Sequence, residues 1–280
     1  MRLKIAGSLQ PQTALKQENL VSWSSMLSAI KRMIPRSLKE RAVLARKIGL
    51  IECLRYYLTP RSGQYRLKYN GFEIWVRRSA TDLRCALHTF DGEFDIFQHL
   101  NTGLPPGIIL DAGGYIGTAA LALSKLFPDR KIVCIEPSPD NFSMLEENVQ
   151  NLPNIKLIHA ALTSEERETI KLHDRQTGEW GLTIVASPDN DEKGRTVAEV
   201  PTITLAQIIE QFGPIALAKI DIEGAEKSLM QHASELAAVQ VISIELHERI
   251  VRGCEKAFYE SSRNRLVLKD TGEKYISIKY

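Results

Sequence analysis

Acidic residues and one imidazole follow several apolar segments of this chain, and a glycine-rich turn follows the first of those segments. Asp111 ends the apolar run that begins at Gly107, and residues 113–117 read G-G-Y-I-G. Glycine permits a positive φ and lets a ligand or another strand come into contact with the backbone. This order of apolar run, tight turn and apolar helix start is typical of a buried parallel strand that presents its carboxyl end to a ligand.

Glu136 stands 19 residues beyond Gly117, at the end of the apolar run 132–135. In a strand–turn–helix–strand unit, an acid at that point is placed to accept hydrogen bonds from both hydroxyls of a ribose. A helix-capping carboxylate is the alternative interpretation. The window 112–117 lacks the first glycine of the dinucleotide pattern G-x-G-x-x-G, so the glycines alone leave a nicotinamide-dependent dehydrogenase open.

Two later segments carry groups that could move a proton. Residues 219–226 read K-I-D-I-E-G-A-E, and residues 244–248 read I-E-L-H-E. Such a cluster suits proton removal from an acceptor and a cationic ligand such as a sulfonium, whereas its charges would repel a pyrophosphate. For Glu223 and Glu226, favourable placement in the first turn of a helix is the alternative explanation.

His247 is the first candidate for a general base, because the unperturbed pKa of imidazole lies near neutral. Asp221 and Glu223 are the second choice, and a structural role is the alternative for the histidine. The Asp221–Glu223 pair could also hold Mg²⁺ together with oxygens of an acceptor, as octahedral oxygen sites do. The sequence shows no evident third ligand for that ion, so we predict no resident metal.

The elements that position these groups alternate between strand and helix from residue 107 onward. Repeated units of this kind predict right-handed crossovers and an open parallel sheet whose ligand sites lie at the carboxyl ends of the strands. The predicted strands after the first are 131–135, 155–159, 215–220 and 239–246. The predicted helices include 202–212 and 225–232, and a β-rich insertion covers 169–200. An antiparallel pair of strands, 266–268 with 275–278, follows the last parallel strand.

A hairpin and a helical segment precede that sheet. Alternating residues flank Asn70-Gly71, which predicts two antiparallel strands joined by a type I′ turn over residues 65–76. Residues 81–100 are predicted to be helical. We therefore divide the chain into a helical N-terminal extension, a hairpin with a helix, and a ligand-binding domain, at 1–62, 63–100 and 101–280.

The N-terminal extension is basic and amphipathic. Residues 1–60 hold 11 Lys or Arg and 3 Asp or Glu, a net charge of +8, so residues 61–280 carry 25 and 31, a net of −6. Apolar positions recur at helical spacing over 23–34 and over 44–58, which predicts one helix in each segment. A solvated helical face is the first interpretation, and a weak contact of residues 20–58 with an anionic membrane surface is the alternative.

Composition limits the remaining classes. The 280 residues are 44% hydrophobic, enough for a sizeable core without disulfides, and no apolar stretch is long enough to span a bilayer. The four cysteines, Cys53, Cys85, Cys134 and Cys254, show no C-x-x-C spacing, which favours a reducing compartment and no structural zinc. We predict a cytoplasmic protein that does not bind nucleic acid.

Together these motifs resemble the FkbM family of S-adenosylmethionine-dependent methyltransferases. The resemblance covers about residues 63–280 and rests on their order: Thr81-Asp82, D-A-G-G-Y-I-G at 111–117, Ile135-Glu136-Pro137, Ala160-Ala161-Leu162, K-I-D-I-E-G-A-E at 219–226 and I-E-L-H-E at 244–248. It implies an α/β, class I Rossmann-like fold with a mostly parallel seven-stranded sheet whose last strand is antiparallel. It also implies O-methylation of hydroxyls on polyketides, glycans or lipids.

The resemblance assigns roles to residues. Asp111, Gly113 and Gly117 would hold the methionine end of the cofactor, and Gly114 and Tyr115 would also belong to the cofactor-binding residues. Glu136 would hold the ribose, Ala161 would lie along the adenine, and Asp221 would sit near the transferred methyl group. Residues 178–181, G-E-W-G, would form a lid or an acceptor wall, with an exposed hairpin turn as the alternative.

One part of the glycine turn departs from the family pattern. Many members read D-x-G-A-N, where this chain has Gly114 and Tyr115. The departure should change how the ribose and carboxylate of the ligand are covered.

The sequence therefore predicts an S-adenosylmethionine-dependent O-methyltransferase that acts on a hydroxyl of a glycan, lipid or secondary metabolite. Two other classes stay open, a NAD-dependent oxidoreductase and a cofactor-binding protein without enzyme activity. The acceptor is expected to be a hydroxylated small molecule or glycan, and the sequence does not determine the oligomeric state.

Overall fold

The computed structural model describes residues 36–100, 103–175, 181–185, 195–270 and 272–280. The chain divides into two compact units, residues 1–54 and 55–280. Helix α1 spans Arg36–Ile48 and helix α2 spans Leu50–Leu58. The single helix predicted over 44–58 is wrong, because Gly49 between them has a φ of 89°, which an α-helix does not accommodate. The helix predicted over 23–34 lies outside the described residues.

The predicted hairpin is confirmed. Strands β1 (Gln64–Tyr69) and β2 (Phe72–Arg77) pair antiparallel. Asn70 and Gly71 have φ values of 48° and 76°, the two positive values that a type I′ turn requires. Helix α3 (Asp82–His88) follows, then a π-helical turn over Thr89–Glu93 and a 3₁₀ helix over Asp95–Leu100. The segment predicted to be helical over 81–100 therefore consists of three short helical pieces, interrupted at Gly92 with a φ of 102°.

A seven-stranded sheet forms the centre of the second unit, in the order β12-β13-β11-β10-β3-β4-β5. Strands β3, β4, β5, β10 and β11 are parallel, whereas β13 runs antiparallel to both of its neighbours. The predicted sheet with its antiparallel last strand is therefore confirmed. The strands are β3 (Ile108–Ala112), β4 (Ile132–Ile135), β5 (Ile155–Ile158), β10 (Ile215–Ile220), β11 (Val241–Glu245), β12 (Arg265–Lys269) and β13 (Lys274–Lys279).

Helices cover both faces of this sheet. Helices α4 (Thr118–Leu126) and α5 (Pro139–Val149) pack with alternate strand residues such as Ile109 on one face. Helices α6 (Leu205–Phe212), α7 (Glu226–His232) and α8 (Cys254–Ser261) pack with residues such as Leu110 on the other. Consecutive side chains of a strand point to opposite faces of the sheet, and helices cover both faces. Strand β3 is therefore buried along its whole length.

A second, four-stranded sheet fills the predicted insertion. Its strands are β6 (Ala161–Leu162), β7 (Thr169–Asp174), β8 (Leu182–Thr183) and β9 (Arg195–Ile203), in the order β6-β9-β7-β8. Strand β9 includes Thr202, which pairs with Ala161, so α6 begins later than the predicted 202–212. The turns predicted at 177–178 and 191–194 lie outside the described residues. Within the described part of the chain, no helix combines the length and apolarity needed to cross a bilayer.

Candidate active site

A cavity of about 600 Å³ lies at the carboxyl ends of the central strands. The turn after β3, the end of β4 and the segment after β10 line it, as the strand ends of an open parallel sheet are expected to do. The segment 81–94 and the turn between β12 and β13 complete its wall. A volume of this size is typical of a site for a nucleoside-sized ligand.

The glycine turn brings two strand ends into contact. Gly113 has a φ of 82°, and a Cβ added there would lie 1.8 Å from the backbone oxygen of Asp221. Only glycine therefore lets the turn after β3 approach the segment after β10 this closely. At Gly114 an added Cβ would lie 2.2 Å from Sγ of Cys134, so the thiol occupies the space that an alanine side chain would need.

Glu136 is buried at the cavity wall, with both carboxylate oxygens oriented by backbone groups. Oε2 accepts a hydrogen bond of 2.8 Å from the amide of Tyr115, and Oε1 accepts one of 2.9 Å from the amide of Ser138. Burial raises the pKa of Glu136 to about 7, although these two amides lower it. A carboxylate fixed in this way retains lone pairs for hydroxyl groups of a ligand.

Asp111 lies beneath the cavity and does not line it. Its side chain is fully buried, with Oδ1 at 3.3 Å from Nζ of Lys219 and Oδ2 accepting a hydrogen bond from Cys134. Burial raises the pKa of Asp111, and the lysine opposes that shift. The role that the resemblance implies for Asp111, holding the methionine end of the cofactor, stays a prediction, and the buried carboxylate contacts Lys219 and Cys134. Gly117 also lies outside the cavity wall.

Lys219, to which the sequence analysis gave no role, holds the turn and the acids together. Its Nζ donates a hydrogen bond of 2.7 Å to the backbone oxygen of Gly113 and lies 3.8 Å from Oδ2 of Asp221. Burial lowers the pKa of this amine, but Asp111 and Asp221 raise it more, so the net shift is upward. A permanent positive charge is therefore enclosed between two carboxylates.

An apolar wall lies beside Glu136. Ala161, predicted to lie along an adenine, is buried there together with Leu162. Leu172, Leu182 and Ile184 of the insertion also line the cavity, and Thr183 between the last two donates a hydrogen bond of 2.5 Å to the backbone oxygen of Glu223. This wall suits a flat aromatic group. Of the predicted lid at 178–181, only Gly181 lies within the described residues.

At the other end of the cavity, three acids surround His247. Its Nδ1 lies 2.9 Å from Oε1 of Glu226, and its Nε2 lies 3.5 Å from Oε1 of Glu223 and 3.8 Å from Oδ1 of Asp221. The ring and Glu226 are excluded from solvent, with exposures of 1% and 0%. Asp221 and Glu223 line the cavity, but His247 does not.

This geometry corrects the prediction of a near-neutral histidine. Burial lowers the pKa of His247, but hydrogen bonds with Glu223 and Glu226 raise it to about 11. The ring is therefore an imidazolium at neutral pH, and an imidazolium has no lone pair with which to accept a proton. Its chemical effect here is to hold Glu223, whose pKa is nevertheless raised by burial.

Glu226, for which helix placement alone was an alternative, has a more specific role. It accepts hydrogen bonds from the amides of Ile222 and Gly224, at 3.0 and 2.9 Å, in addition to its contact with His247. It thereby fixes the loop that carries Asp221 and Glu223. That loop is strained, because Glu223 has a φ of 51°.

Asp221, Glu223 and His247 also form a possible metal-ligand set. One ligand atom from each residue lies within 4.8 Å of the other two. Histidine and carboxylates are common ligands of divalent transition metals, and Nδ1 of His247 is held by a carboxylate as in many such sites. A metal would have to displace the proton that the ring holds between these acids.

The mouth of the cavity carries further charged groups from distant segments. Glu93 forms an ion pair with Lys274, whose Nζ is also 3.9 Å from Oε2 of Glu245. Burial raises the pKa of Glu93, but His88 and Lys274 lower it to about 2. Burial and the nearby charge of Asp221 raise the pKa of Glu245. Sequence analysis included Glu245 in the motif 244–248 but missed Glu93 and Lys274, because helical and strand patterns do not show which loops meet at a cavity.

Comparison with known proteins gives a family match. Residues 111–272, more than half of the chain, match the family described as "Methyltransferase FkbM domain". The match begins at Asp111 and contains Glu136, Asp221, Glu223 and His247. No curated protein matches the chain significantly.

Solved structures with a similar fold include three methyltransferases at low identity. The FkbM methyltransferase from Methylobacillus flagellatus KT is 11% identical, with a TM-score of 0.41, over 69% of this chain and 53% of that protein, about half its length. An SAH-bound Streptococcus mutans protein is 11% identical, with a TM-score of 0.40, over 66% of this chain and 97% of that one. An SAH-bound Podospora anserina methyltransferase is 13% identical, with a TM-score of 0.39, over 98% of this chain and 99% of that one.

Proposed function

This chain belongs to the FkbM methyltransferase family, and from that premise we propose that it transfers the methyl group of S-adenosylmethionine to a hydroxyl oxygen of an acceptor. The proposed acceptor is a glycan, a lipid or a secondary metabolite. The observation that carries the proposal is the polarity of the cavity. Glu136 follows β4 on one side of β3. The carboxylates of Asp221 and Glu223 follow β10 and that of Glu245 ends β11 on the other side, while apolar residues of the insertion line the same cavity.

The cofactor end of the cavity fits a nucleoside. Glu136 would accept hydrogen bonds from the ribose hydroxyls, while Ala161 would lie along the adenine. The turn residues Gly113, Gly114 and Tyr115 would follow the methionine part. Asp221 would face the sulfonium. Its side chain is 33% exposed, and in such a partly buried position opposite charges attract more strongly than in bulk water.

When bound, S-adenosylmethionine supplies an electrophilic methyl group on a positively charged sulfur. We assign the base to Glu223, which takes the proton of the acceptor hydroxyl while the oxygen–carbon bond forms and the sulfur–carbon bond breaks. A base with a pKa shifted towards neutrality is better matched to this task, and burial shifts the pKa of Glu223 in that direction. Most of the acceleration is expected from alignment of the acceptor oxygen with the methyl group.

His247 then acts through Glu223 and does not touch the acceptor. The imidazolium keeps Nε2 towards Glu223 and Asp221, while Glu226 holds its other nitrogen. In this position it reduces the repulsion between two neighbouring carboxylates. The proton on Nε2 of His247 lies between the ring and the carboxylates of Asp221 and Glu223, where a divalent ion would have to bind. This arrangement supports methyl transfer without a metal.

A nicotinamide-dependent oxidoreductase is not favoured, because the family match is to methyltransferases. The carboxylates that line the cavity also suit a pyrophosphate poorly. A cofactor-binding protein without activity differs from our proposal in one measurable respect. It would bind S-adenosylmethionine without producing S-adenosylhomocysteine in the presence of any acceptor.

The experiment that tests the proposed function supplies labelled S-adenosylmethionine and hydroxyl-rich acceptors to the purified protein. We expect transfer of the label to glycans, lipids or metabolites as a methyl ether, which is stable to mild base and therefore distinct from a methyl ester. The Glu223→Gln variant serves as the background. Label that appears only as methylamine or methyl ester would contradict hydroxyl transfer.

Two further assignments are proposals of the same kind. We propose a cytoplasmic location, supported by four cysteines that are all unpaired.

We also propose a weak contact of residues 20–58 with anionic membranes. In support, Leu50, Ile51 and Leu54 are exposed on α2. Co-sedimentation with acidic liposomes that weakens with salt would support this contact, and equal binding to neutral liposomes would contradict it.

A further inference from the structure

Tyr115 occupies an unusual backbone conformation at the cofactor end of the cavity. Its φ is 51°, in the left-handed region where residues other than glycine, asparagine and aspartate are uncommon. Such strain persists only where surrounding contacts fix the residue. The contacts at Tyr115 therefore show what fixes it.

The phenol of Tyr115 reaches across to the segment that precedes the central sheet. Its hydroxyl donates a hydrogen bond of 2.5 Å to Oδ1 of Asp82 and lies 3.2 Å from Oγ1 of Thr81. At the same time, the amide of Tyr115 donates to Oε2 of Glu136. One residue thus joins helix α3 to the carboxylate proposed to hold the ribose.

Asp82 is itself held firmly. Its side chain is fully buried, and Arg77 donates to it from Nε at 2.9 Å, from Nη2 at 3.0 Å and from the backbone amide at 2.8 Å. A two-pronged arginine–carboxylate contact has one orientation, and its strength increases with burial. The position of the phenol is therefore determined by the end of strand β2.

A second path leads from the same arginine back to Glu136. Nη2 of Arg77 donates a hydrogen bond of 2.8 Å to Oδ1 of Asn141, and Nδ2 of Asn141 lies 3.5 Å from Oε1 of Glu136. The contacts consequently close a ring that starts and ends at Glu136. Arg77 and Asp82 precede residue 111, so the ring includes residues outside the family match.

We propose that Tyr115, Asp82 and Arg77, here called the Tyr115 brace, are positioning residues that orient Glu136 for the ribose of the cofactor. The proposal rests on the proposed function, because it requires Glu136 to contact the ribose. The brace gives a structural reason for a tyrosine where the family pattern has asparagine. The phenol reaches Asp82 and compensates for the strain at its own backbone.

The test measures the affinity for S-adenosylhomocysteine by calorimetry in Tyr115→Phe, which removes only the hydroxyl. We expect the dissociation constant to rise about 5- to 20-fold, since one hydrogen bond to a buried charged group is lost. Tyr69→Phe is the matched control, because Tyr69 lies on the same hairpin as Arg77 and donates a 2.5 Å hydrogen bond to Asp91 in the turn 89–93, and neither residue lines the cavity. It should change the affinity less than about twofold.

A double-variant cycle with Glu136→Gln distinguishes positioning from direct contact or general destabilisation. If the brace acts through Glu136, Tyr115→Phe should change the affinity less than about twofold once Glu136 is replaced. If the two substitutions instead raise the dissociation constant independently, so that their fold-changes multiply in the double variant, the brace is overturned and the role of Glu136 is left intact. No effect of Glu136→Gln alone would overturn both.

Arg77→Lys gives a second variant of the brace, which keeps the charge and loses the two-pronged geometry. Arg77→Lys should weaken the binding of S-adenosylhomocysteine in the wild-type background. It should have little effect on this affinity in a protein that already carries Glu136→Gln. Equal affinity of Arg77→Lys and the wild type, with the same melting temperature, would contradict the proposal.

Discussion

Nδ1 of His247 lies 2.9 Å from Oε1 of Glu226, and both side chains are excluded from solvent. Glu226 in turn binds the amides of the loop that carries Asp221 and Glu223. A histidine held in this way is a charged support for its neighbours. Its effect on the reaction should therefore differ from that of a base that exchanges protons at each turnover.

The first prediction concerns stability and pH. The pKa of His247 is raised to about 11 in the folded protein, whereas an unfolded histidine has a pKa near 6.5. The stabilisation by the imidazolium is then fully present below about pH 6.5 and is lost as the pH rises towards 11. We expect the melting temperature to fall between pH 7 and pH 11. The exposed His232 gives the control, because His232→Asn should leave this slope unchanged.

Glu226→Gln should weaken that pH dependence and lower the free energy of unfolding by about 1–3 kcal/mol, since a buried hydrogen bond to a charged group is lost. Thermal melts at several pH values check both results. A variant with the wild-type slope would show that Glu226 does not hold the charge of His247.

The second prediction identifies the base. Glu223→Gln should lower kcat by about 10²- to 10⁴-fold, because the proton of the acceptor loses its carrier. The dissociation constant for S-adenosylhomocysteine should change little. Glu248→Gln is the matched control, since Glu248 binds the amides of Gly253 and Glu255 outside the cavity. Near-normal turnover of folded Glu223→Gln would transfer the role to Asp221 or Glu245.

The third prediction concerns the ionisation of the ribose site. Burial raises the pKa of Glu136 to about 7 in the free protein. Because the ionised carboxylate accepts the ribose hydrogen bonds, affinity for S-adenosylhomocysteine should rise about tenfold per pH unit well below pH 7 and become constant above it. Calorimetry from pH 5.5 to pH 8.5 measures this profile. Glu136→Gln should show a flat profile, and an equally steep one would assign the ionisation to another group.

The fourth prediction concerns the packing of the glycine turn. Gly114→Ala should destabilise the protein by about 1–3 kcal/mol, because the added methyl group collides with Sγ of Cys134. The double variant Gly114→Ala, Cys134→Ala should recover most of this loss, although it also removes the thiol hydrogen bond to Asp111. Denaturant unfolding compares the two variants. Equal destabilisation in both would contradict the role of the thiol and assign the conflict to the other near contact of the added methyl group, Cδ2 of Leu145 at 3.3 Å.

Local patterns predicted those parts of the fold whose causes are local. The turn Asn70-Gly71 forms the predicted hairpin because both residues adopt positive φ. Thr204 and Gln207 form the capping box of α6, but the strand before it extends to Ile203 through pairing with Leu162, a contact 41 residues away. Pairing partners of that kind do not appear in a local pattern.

The site was predictable in its strand-end residues and not in their environment. Glu136, Asp221 and Glu223 line one cavity because their strands end at the same edge of the sheet. The charge of His247 depends on Glu223 and Glu226, which raise its pKa against the effect of burial, and these contacts do not follow from its neighbours in the sequence. The unperturbed pKa of histidine therefore does not describe His247 in the folded protein.

The central claim is that the cavity binds S-adenosylmethionine through Glu136, and calorimetry on Glu136→Ala tests it most directly. Titration with S-adenosylhomocysteine should show an affinity weaker by about 2–4 kcal/mol than that of the wild type, since two hydrogen bonds to a charged group are lost. Melting curves establish that the variant is folded. An unchanged affinity in the folded Glu136→Ala variant would contradict the account.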